Sequence, residues 1–241
     1  MEKSIVLKSG DFKFPSEIER NEASKDYLFF KSFDFSYKSG FRSVLIDHLQ
    51  PKEASRIENL FWWNMCLQNR FGFLYETYIN LITNYNRGFK DDLTKCSDNE
   101  YVNKILFDYF SEIFYYYFFS IRDILGQILN LFFLIGKTER HFFTNKSFLD
   151  SLTQYDSGLY KNFNISITEA KEIRDGFAHR FSPNQPDFRS NYNKILNKDS
   201  ISLGGGHFIS SEQIVENIRD SLKNLNILLL GLSKILIIEE K

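Results

Sequence analysis

The chain has 241 residues, 43% hydrophobic and 25% charged, with a formal net charge of −1. That length and balance fit a globular chain of one large domain or two small ones. Near-neutrality excludes a whole-molecule field for nucleic acid, so any RNA or DNA contact has to come from a local patch. Aromatic residues are abundant, with 26 Phe and 13 Tyr, while four Pro and 12 Gly leave few breaks. Sparse punctuation favours long helices over many short strands.

Residues 1–50 read as an irregular N-terminal arm packed on the main body. The first eight residues hold no apolar run of the kind a signal peptide needs. Phe33, Phe35 and Tyr37 alternate with Asp34 and Ser36, a period-2 pattern of strand type, before a turn at Lys38-Ser39-Gly40. An arm and a small hairpin both fit. Pro51 then suits the first turn of a helix. Ile57, Leu60, Asn64, Leu67, Phe71, Leu74, Tyr78, Leu81 and Tyr85 step by three and four, one stripe along a helix about 45–50 Å long. Asn64 is its polar member, a type of residue that can fix register or oligomer state. Asn86-Arg87-Gly88 ends the helix.

After a polar linker, a second helix is predicted from about Glu100 to Gly136. Its middle, Phe110 to Phe119, is aromatic on all sides, which suits a central buried helix or a dimer contact. Arg122, Asp123, Gln127 and Asn130 interrupt its most apolar window, Ile113 to Ile135, and a membrane span tolerates such residues poorly. The apolar run Leu225 to Ile238 is too short to span, so no membrane partner is expected. A short helix from Lys146 to Gln154 follows. Ser166-Ile167-Thr168-Glu169 has capping-box form, with Ala170, Ile173, Phe177 and Phe181 behind it at helical spacing and Pro183 as the stop. Ile201–Leu203 and His207–Ile209 suggest a small hairpin around Gly204-Gly205-Gly206. A last helix opens near Ser210–Gln213 and runs to about Ile238. The expected fold is an all-α bundle of four to five helices, three of them long, spanning 51–241.

Chemistry-bearing residues concentrate in Glu172-Ile173-Arg174-Asp175-Gly176-Phe177-Ala178-His179-Arg180-Phe181. Arg174 can hold a phosphate with two hydrogen bonds and stabilise transition-state charge. His179, at a helix end that favours a cation, suits general acid–base work. Asp175, one turn before His179, can fix its tautomer. On an ideal helix positions 174 and 179 lie about 140° apart, so one of three things is required: a distortion near Gly176, a curled Arg side chain, or two copies of the motif meeting across a dimer. Between residues 171 and 198, Lys171, Arg174, Arg180, Arg189, Lys194 and Lys198 outnumber Glu172, Asp175 and Asp187 by three. Phe181, Phe188 and Tyr192 lie among them, a setting for base stacking. An ordinary solvated loop fits the same residues. Arg122 is a further candidate contact from the second helix, with a core ion pair as the alternative for it and Asp123. No His/Cys/acid set has metal-ligand spacing, and Cys66 and Cys96 form neither a cluster nor a disulfide framework, which suits a reduced, cytoplasmic setting.

The Arg-x4-His pattern Arg174-Asp175-Gly176-Phe177-Ala178-His179, late in an all-helical chain, resembles the marker of the HEPN family. The family's marker allows four to six residues between Arg and His; a spacing in that range arises by chance about once in two chains of this composition, and Arg42-Ser43-Val44-Leu45-Ile46-Asp47-His48, with five between, is a second instance that precedes the bundle. The resemblance therefore rests on the context of 174–179: capping box, helix, motif, then Pro. It implies a helical bundle that dimerises. It also implies catalytic roles for Arg174, Asp175 and His179, and RNA contacts for Arg180, Arg189, Lys194 and Arg122. Many relatives are metal-independent ribonucleases of toxin–antitoxin or phage-defence systems, needing no cofactor and leaving a 2′,3′-cyclic phosphate. Others are inactive binding modules. RNA, a second copy and an antitoxin or other protein are the implied partners, and a plain helical scaffold remains the reading outside nucleic-acid biology.

Overall fold

The computed structural model describes residues 8–137, 146–155, 158, 167–179, 182–185, 189–195, 198–203 and 208–237. Among these lie seven α-helices and one hairpin: α1 (Glu17–Ser24), α2 (Gly40–Leu45), α3 (Pro51–Asn86), α4 (Asp98–Phe132), α5 (Lys146–Leu152), α6 (Thr168–His179), β1 (Ser190–Ile195), β2 (Lys198–Leu203) and α7 (Ser211–Ser233). The fold class is all-α, with α3, α4 and α7 as the long helices. None of the described helices is long and apolar enough to cross a membrane.

The predicted stripe on α3 is its buried side. Leu60, Asn64, Leu67, Phe71, Leu74, Tyr78 and Leu81 are all buried. Each such Leu contributes about 1.5–3 kcal/mol of burial, so packing rather than propensity holds this helix. α4 buries side chains on several sides, as its aromatic middle suggests, with Phe107, Phe114, Tyr115, Phe118 and Phe119 enclosed. On α7 a capping box forms as predicted: Ser210 N donates to Gln213 Oε1 at 2.9 Å, and Gln213 N donates to Ser210 Oγ at 3.2 Å.

The chain divides into two compact units. The first comprises Met1–Asp26, Thr77–Tyr115 and Ile167–Ser221, so it holds α1, the end of α3, the first half of α4, α6, the hairpin and the start of α7. Its buried side chains include Ile79, Phe107, Phe114, Ile173, Ile214 and Ile218. The second comprises Tyr27–Glu76, Tyr116–Ser166 and Leu222–Lys241, with Leu60, Leu67, Ile121, Leu125, Phe148 and Leu225 buried.

Residues 8–50 carry two short helices, α1 and α2, where the sequence suggested an irregular arm. In the first unit, Ser16 caps α1: its N donates to Glu19 Oε2 at 2.8 Å and its Oγ accepts from Glu19 N at 3.4 Å. Arg87, just past α3, then holds the segment. It donates to both Glu19 carboxylate oxygens, at 2.7 and 3.1 Å, and to the carbonyls of Lys13 and Phe14, at 2.9 and 3.3 Å. These bonds, Arg87 foremost, hold the Glu19 carboxyl down to about 2. In the second unit, Phe33 and Phe35 are buried as the alternation suggests, yet no strand forms. Asn64 takes the place of a ladder partner: it accepts from Phe33 N at 3.0 Å and donates to Phe33 O at 2.7 Å. The polar member of the stripe therefore satisfies backbone within its own chain. The turn expected at Lys38-Ser39-Gly40 leads instead into α2.

The hairpin also differs from its expected register. Ile201–Leu203 belongs to β2, which pairs antiparallel with the upstream β1, Ser190 opposite Leu203 and Ile195 opposite Lys198. Only Leu196 and Asn197 separate the strands in sequence, the length of the tightest hairpins. Gly204, Gly205, Gly206 and His207 lie outside the described residues.

Replacing Arg87 by Ala is expected to lower stability by about 2 kcal/mol, the scale of lost charge-assisted hydrogen bonds, and to speed amide exchange across residues 8–24. Because the Glu19 carboxyl is depressed, its contribution is present above its unfolded value near 4.5 and is lost as pH falls toward about 2. Urea unfolding of wild type and variant should therefore converge in acid.

Candidate active site

The motif occupies the last six residues of α6, which is helical from Thr168 to His179 without a break. A distortion at Gly176 is thus not how Arg174 and His179 would be brought together. Ala170 and Ile173 face inward and are buried. Phe177 lies against Tyr115 of α4, ring centroids 6.2 Å apart, and the Tyr115 hydroxyl donates to Asn217 Oδ1 of α7 at 2.8 Å. Full enclosure pushes the Tyr115 phenol well above its ordinary range.

Space at Gly176 is tight. A Cβ there would stand 3.1 Å from both Cγ and Cδ of Pro183. Pro183 thus lies against the helix that carries the motif. Pro183 O accepts from Ile209 N at 2.8 Å, and Ser182 Oγ donates to Asn184 Oδ1 at 2.6 Å. The segment that follows the motif is therefore anchored on both sides.

Arg174 and Asp175 are both partly exposed, and Arg174 Nε lies 2.9 Å from Asp175 Oδ1. The carboxylate assigned to the His179 imidazole is thus shared with its neighbouring guanidinium. Arg174, with a side chain 27% exposed, can meet a solute. His179 closes α6; its side chain, like that of Lys194, lies outside the described residues, as does Arg180 entirely. Arg189 is exposed just before β1, and Lys194 sits on β1 opposite Asp199. Arg122 follows the enclosed alternative and not the RNA-contact one. It belongs to the second unit and is only 1% exposed, so its guanidinium is enclosed rather than offered to RNA. Burial lowers it to about 10. The second Arg–His spacing is not carried by one helix: α2 ends at Leu45, and His48 has left-handed backbone with φ 53°.

A buried polar network stands behind the post-motif segment. Lys104 of α4 is 1% exposed. Its Nζ donates to Asp108 Oδ1 at 2.5 Å and lies 4.0 Å from Asp91 Oδ1. The rings of Phe89 and Phe107 are each 5.7 Å from the ammonium. Asp91 accepts from Ser211 N and Oγ at the start of α7. Burial pushes the Asp108 carboxyl up to about 6, against the pull of Lys104 and then of Asn184. The Asn184 amide is near enough to favour the ionised form but short of a full hydrogen bond. Sequence reasoning missed this network. Its local signal is Lys104 and Asp108 at i,i+4 amid Ile105, Leu106 and Phe107, a charge pair inside an apolar run.

Replacing Lys104 by Met should destabilise the fold by about 3 kcal/mol, since the partly buried Asp108, and to a lesser degree the more exposed Asp91, lose their enclosed cation. The sign follows from the raised carboxyl. Asp108 binds its proton more tightly folded than unfolded, so stability falls as pH rises from near 3.8 through its folded value. The loss should therefore be larger at pH 8 than at pH 5 in chemical denaturation, and equal losses would contradict the network.

A family model described as Cthe2314-like HEPN matches residues 62–238, nearly three-quarters of the chain. The match includes α6 with its motif, the hairpin, α4, α7 and most of α3. No curated protein and no solved structure matches the chain. With the family model covering well over half its length, the chain belongs to the HEPN family.

Proposed function

We propose that this chain is a metal-independent endoribonuclease acting as a homodimer, with toxin or phage-defence activity as its setting. The observation that carries the reading is the motif at the end of a continuous, tightly anchored α6 within the matched family region. Arg174 is the phosphate-binding and charge-stabilising group. His179 is the general acid–base. Asp175 orients one or both of them. The 2′-hydroxyl of RNA supplies the nucleophile: it attacks the adjacent phosphorus, its proton passes to a base, and the 5′-oxygen leaves with a proton. The products are a 2′,3′-cyclic phosphate and a 5′-hydroxyl.

An unbroken α6 keeps positions 174 and 179 about 140° apart. Two copies of the helix end, brought together across a dimer, present Arg174 of one and His179 of the other to a single phosphate. Arg180, Arg189 and Lys194 supply the local positive charge that an RNA strand needs. A non-catalytic binding module of the same family is the second reading, and the Arg174–Asp175 pair favours it, because that pair engages the carboxylate that would set the His179 tautomer.

RNA incubated with the purified chain in EDTA decides between them. Cleavage should proceed, and His179→Ala should slow it by about 10²–10⁴-fold. Arg174→Ala should slow it by about 10²–10³-fold, the scale of one lost transition-state donor. RNA binding that is sensitive to Arg174→Ala, without turnover, would establish the binding module instead.

A further inference from the structure

Within the second unit, stretches of α3 and α4 line a cleft of about 380 Å³. That is the size range of small-molecule sites. Its polar wall is Cys66, Asn69 and Arg70 from α3 and Ser120, Asp123 and Gln127 from α4. Cys66 and Arg70 are one turn apart on their helix, and Asp123 and Gln127 one turn apart on theirs, so each pair shares a face. Cys66 is a free, exposed thiol. The other cysteine, Cys96, is buried, and its Sγ donates to Lys90 O at 3.3 Å.

Gln127 is the second sign of a guest. It is only 8% exposed, and its amide makes no hydrogen bond among the described residues. The surface it keeps lies on the cleft that it lines, and neither amide atom is sealed off from solvent. A largely enclosed amide with nothing to bond is unfavourable. Its natural complement is another amide, which offers one N–H and one C=O.

Arg70 adds a charge. Its guanidinium carbon lies 6.0 Å from the centre of the Phe73 ring and 5.5 Å from that of Tyr117, contacts that position the group without neutralising it. It makes no ion pair among the described residues. Asp123 is the acid on the wall, and its charge bears on the enclosed Arg122. The planar fork of Arg70 is therefore open to a carboxylate.

We propose that Cys66 is a site of reversible S-thiolation by the disulfide of a small peptidic thiol, whose carboxylate is held by Arg70 and whose amide is held by Gln127. The Cys66 thiol gives its proton to solvent, and the thiolate attacks one sulfur of the bound disulfide. A bond from Cys66 Sγ to that sulfur forms, the disulfide bond of the guest breaks, and the other half leaves as a thiolate that takes up a proton. Cys66 is oxidised and the departing half is reduced, so the guest is itself the oxidant. Excess free thiol runs the exchange backwards. The motif belongs to the first unit, and failure of this proposal leaves the ribonuclease reading untouched.

The test treats the full, reduced chain with oxidised glutathione, with cystine (carboxylates but no amide) and with hydroxyethyl disulfide (neither). Mass spectrometry locates the adduct, and each rate is divided by that of the same disulfide with N-acetylcysteine, so that intrinsic reactivity cancels. Cys66 should carry the adduct and Cys96 none. The normalised rate with oxidised glutathione should exceed each of the others about tenfold, the scale of one charge-assisted or buried hydrogen bond. Arg70→Gln and Gln127→Met should each reduce that lead about tenfold, and excess reduced glutathione should restore the free thiol. Equal normalised rates for the three disulfides, an adduct on Cys96 in the folded chain, or a lead indifferent to both substitutions would each overturn the proposal. The comparison of disulfides needs no variant, so a folding defect in Gln127→Met does not blunt it.

Discussion

Tyr115 is the joint on which the motif helix depends. A tyrosine buried this deeply has two separate requirements. Its ring needs close neighbours, and its hydroxyl needs a partner, because an unmet buried polar group is costly. Phe177 meets the first from α6 and Asn217 meets the second from α7. One side chain of α4 thus fixes where two other helices lie, and one of them carries Arg174 and His179. Pro183 on Gly176 adds a second contact, one residue away. The ring contact with Phe177 holds α6 against α4, while the proline contact holds the exit from α6 against α6 itself.

The same principle recurs wherever the chain leaves regular structure. Backbone groups outside regular structure need partners from protein or water, and here side chains of or near the long helices supply several of them. Asn64 serves both polar groups of Phe33. Arg87 serves the carbonyls of Lys13 and Phe14. Asp91 serves the first turn of α7, where four N–H groups lack partners within the helix. Polar residues that look misplaced in an apolar stripe are therefore the positions where irregular chain is held. This explains why an arm with little regular structure is ordered against helices with so much.

Much of this fold is legible in the sequence, and the exceptions share a cause. The α3 stripe and the Ser210 cap are local patterns, and both form as read. The Ser16–Glu19 capping box was equally local and opens α1, a helix the composition of the arm obscured. The strand at Phe33 failed because its alternation was real but its partner is a side chain 31 positions away. The hairpin failed in register because three glycines drew attention from a two-residue connection upstream. At the candidate site, the motif residues were readable as chemistry. The role of Gly176 was not, since Pro183 acts on it through space. Lys104 and Asp108 were readable as a pair, but Asp91 and Asn184 join them only in the folded chain. Arg122 shows the converse: a charge in an aromatic run marks an enclosed group as readily as an exposed one.

The Arg174–Asp175 contact bears on whether such a motif can work at all. A guanidinium already paired looks unavailable. Both partners are partly exposed, however, and an ion pair in that setting is worth only about 0–1 kcal/mol. A phosphate diester offers two oxygens to the planar fork, and charge-assisted, bidentate bonds of that kind are among the strongest neutral-pH contacts. Exchange of Asp175 for phosphate is then favourable, and it frees the carboxylate. One helical turn on, at position 179, lies the imidazole whose tautomer a free carboxylate could set. On this account the resting pair does not block the site. On the proposed ribonuclease reading it would hold Asp175 in store until substrate arrives, so that the acid would engage His179 only when Arg174 is occupied.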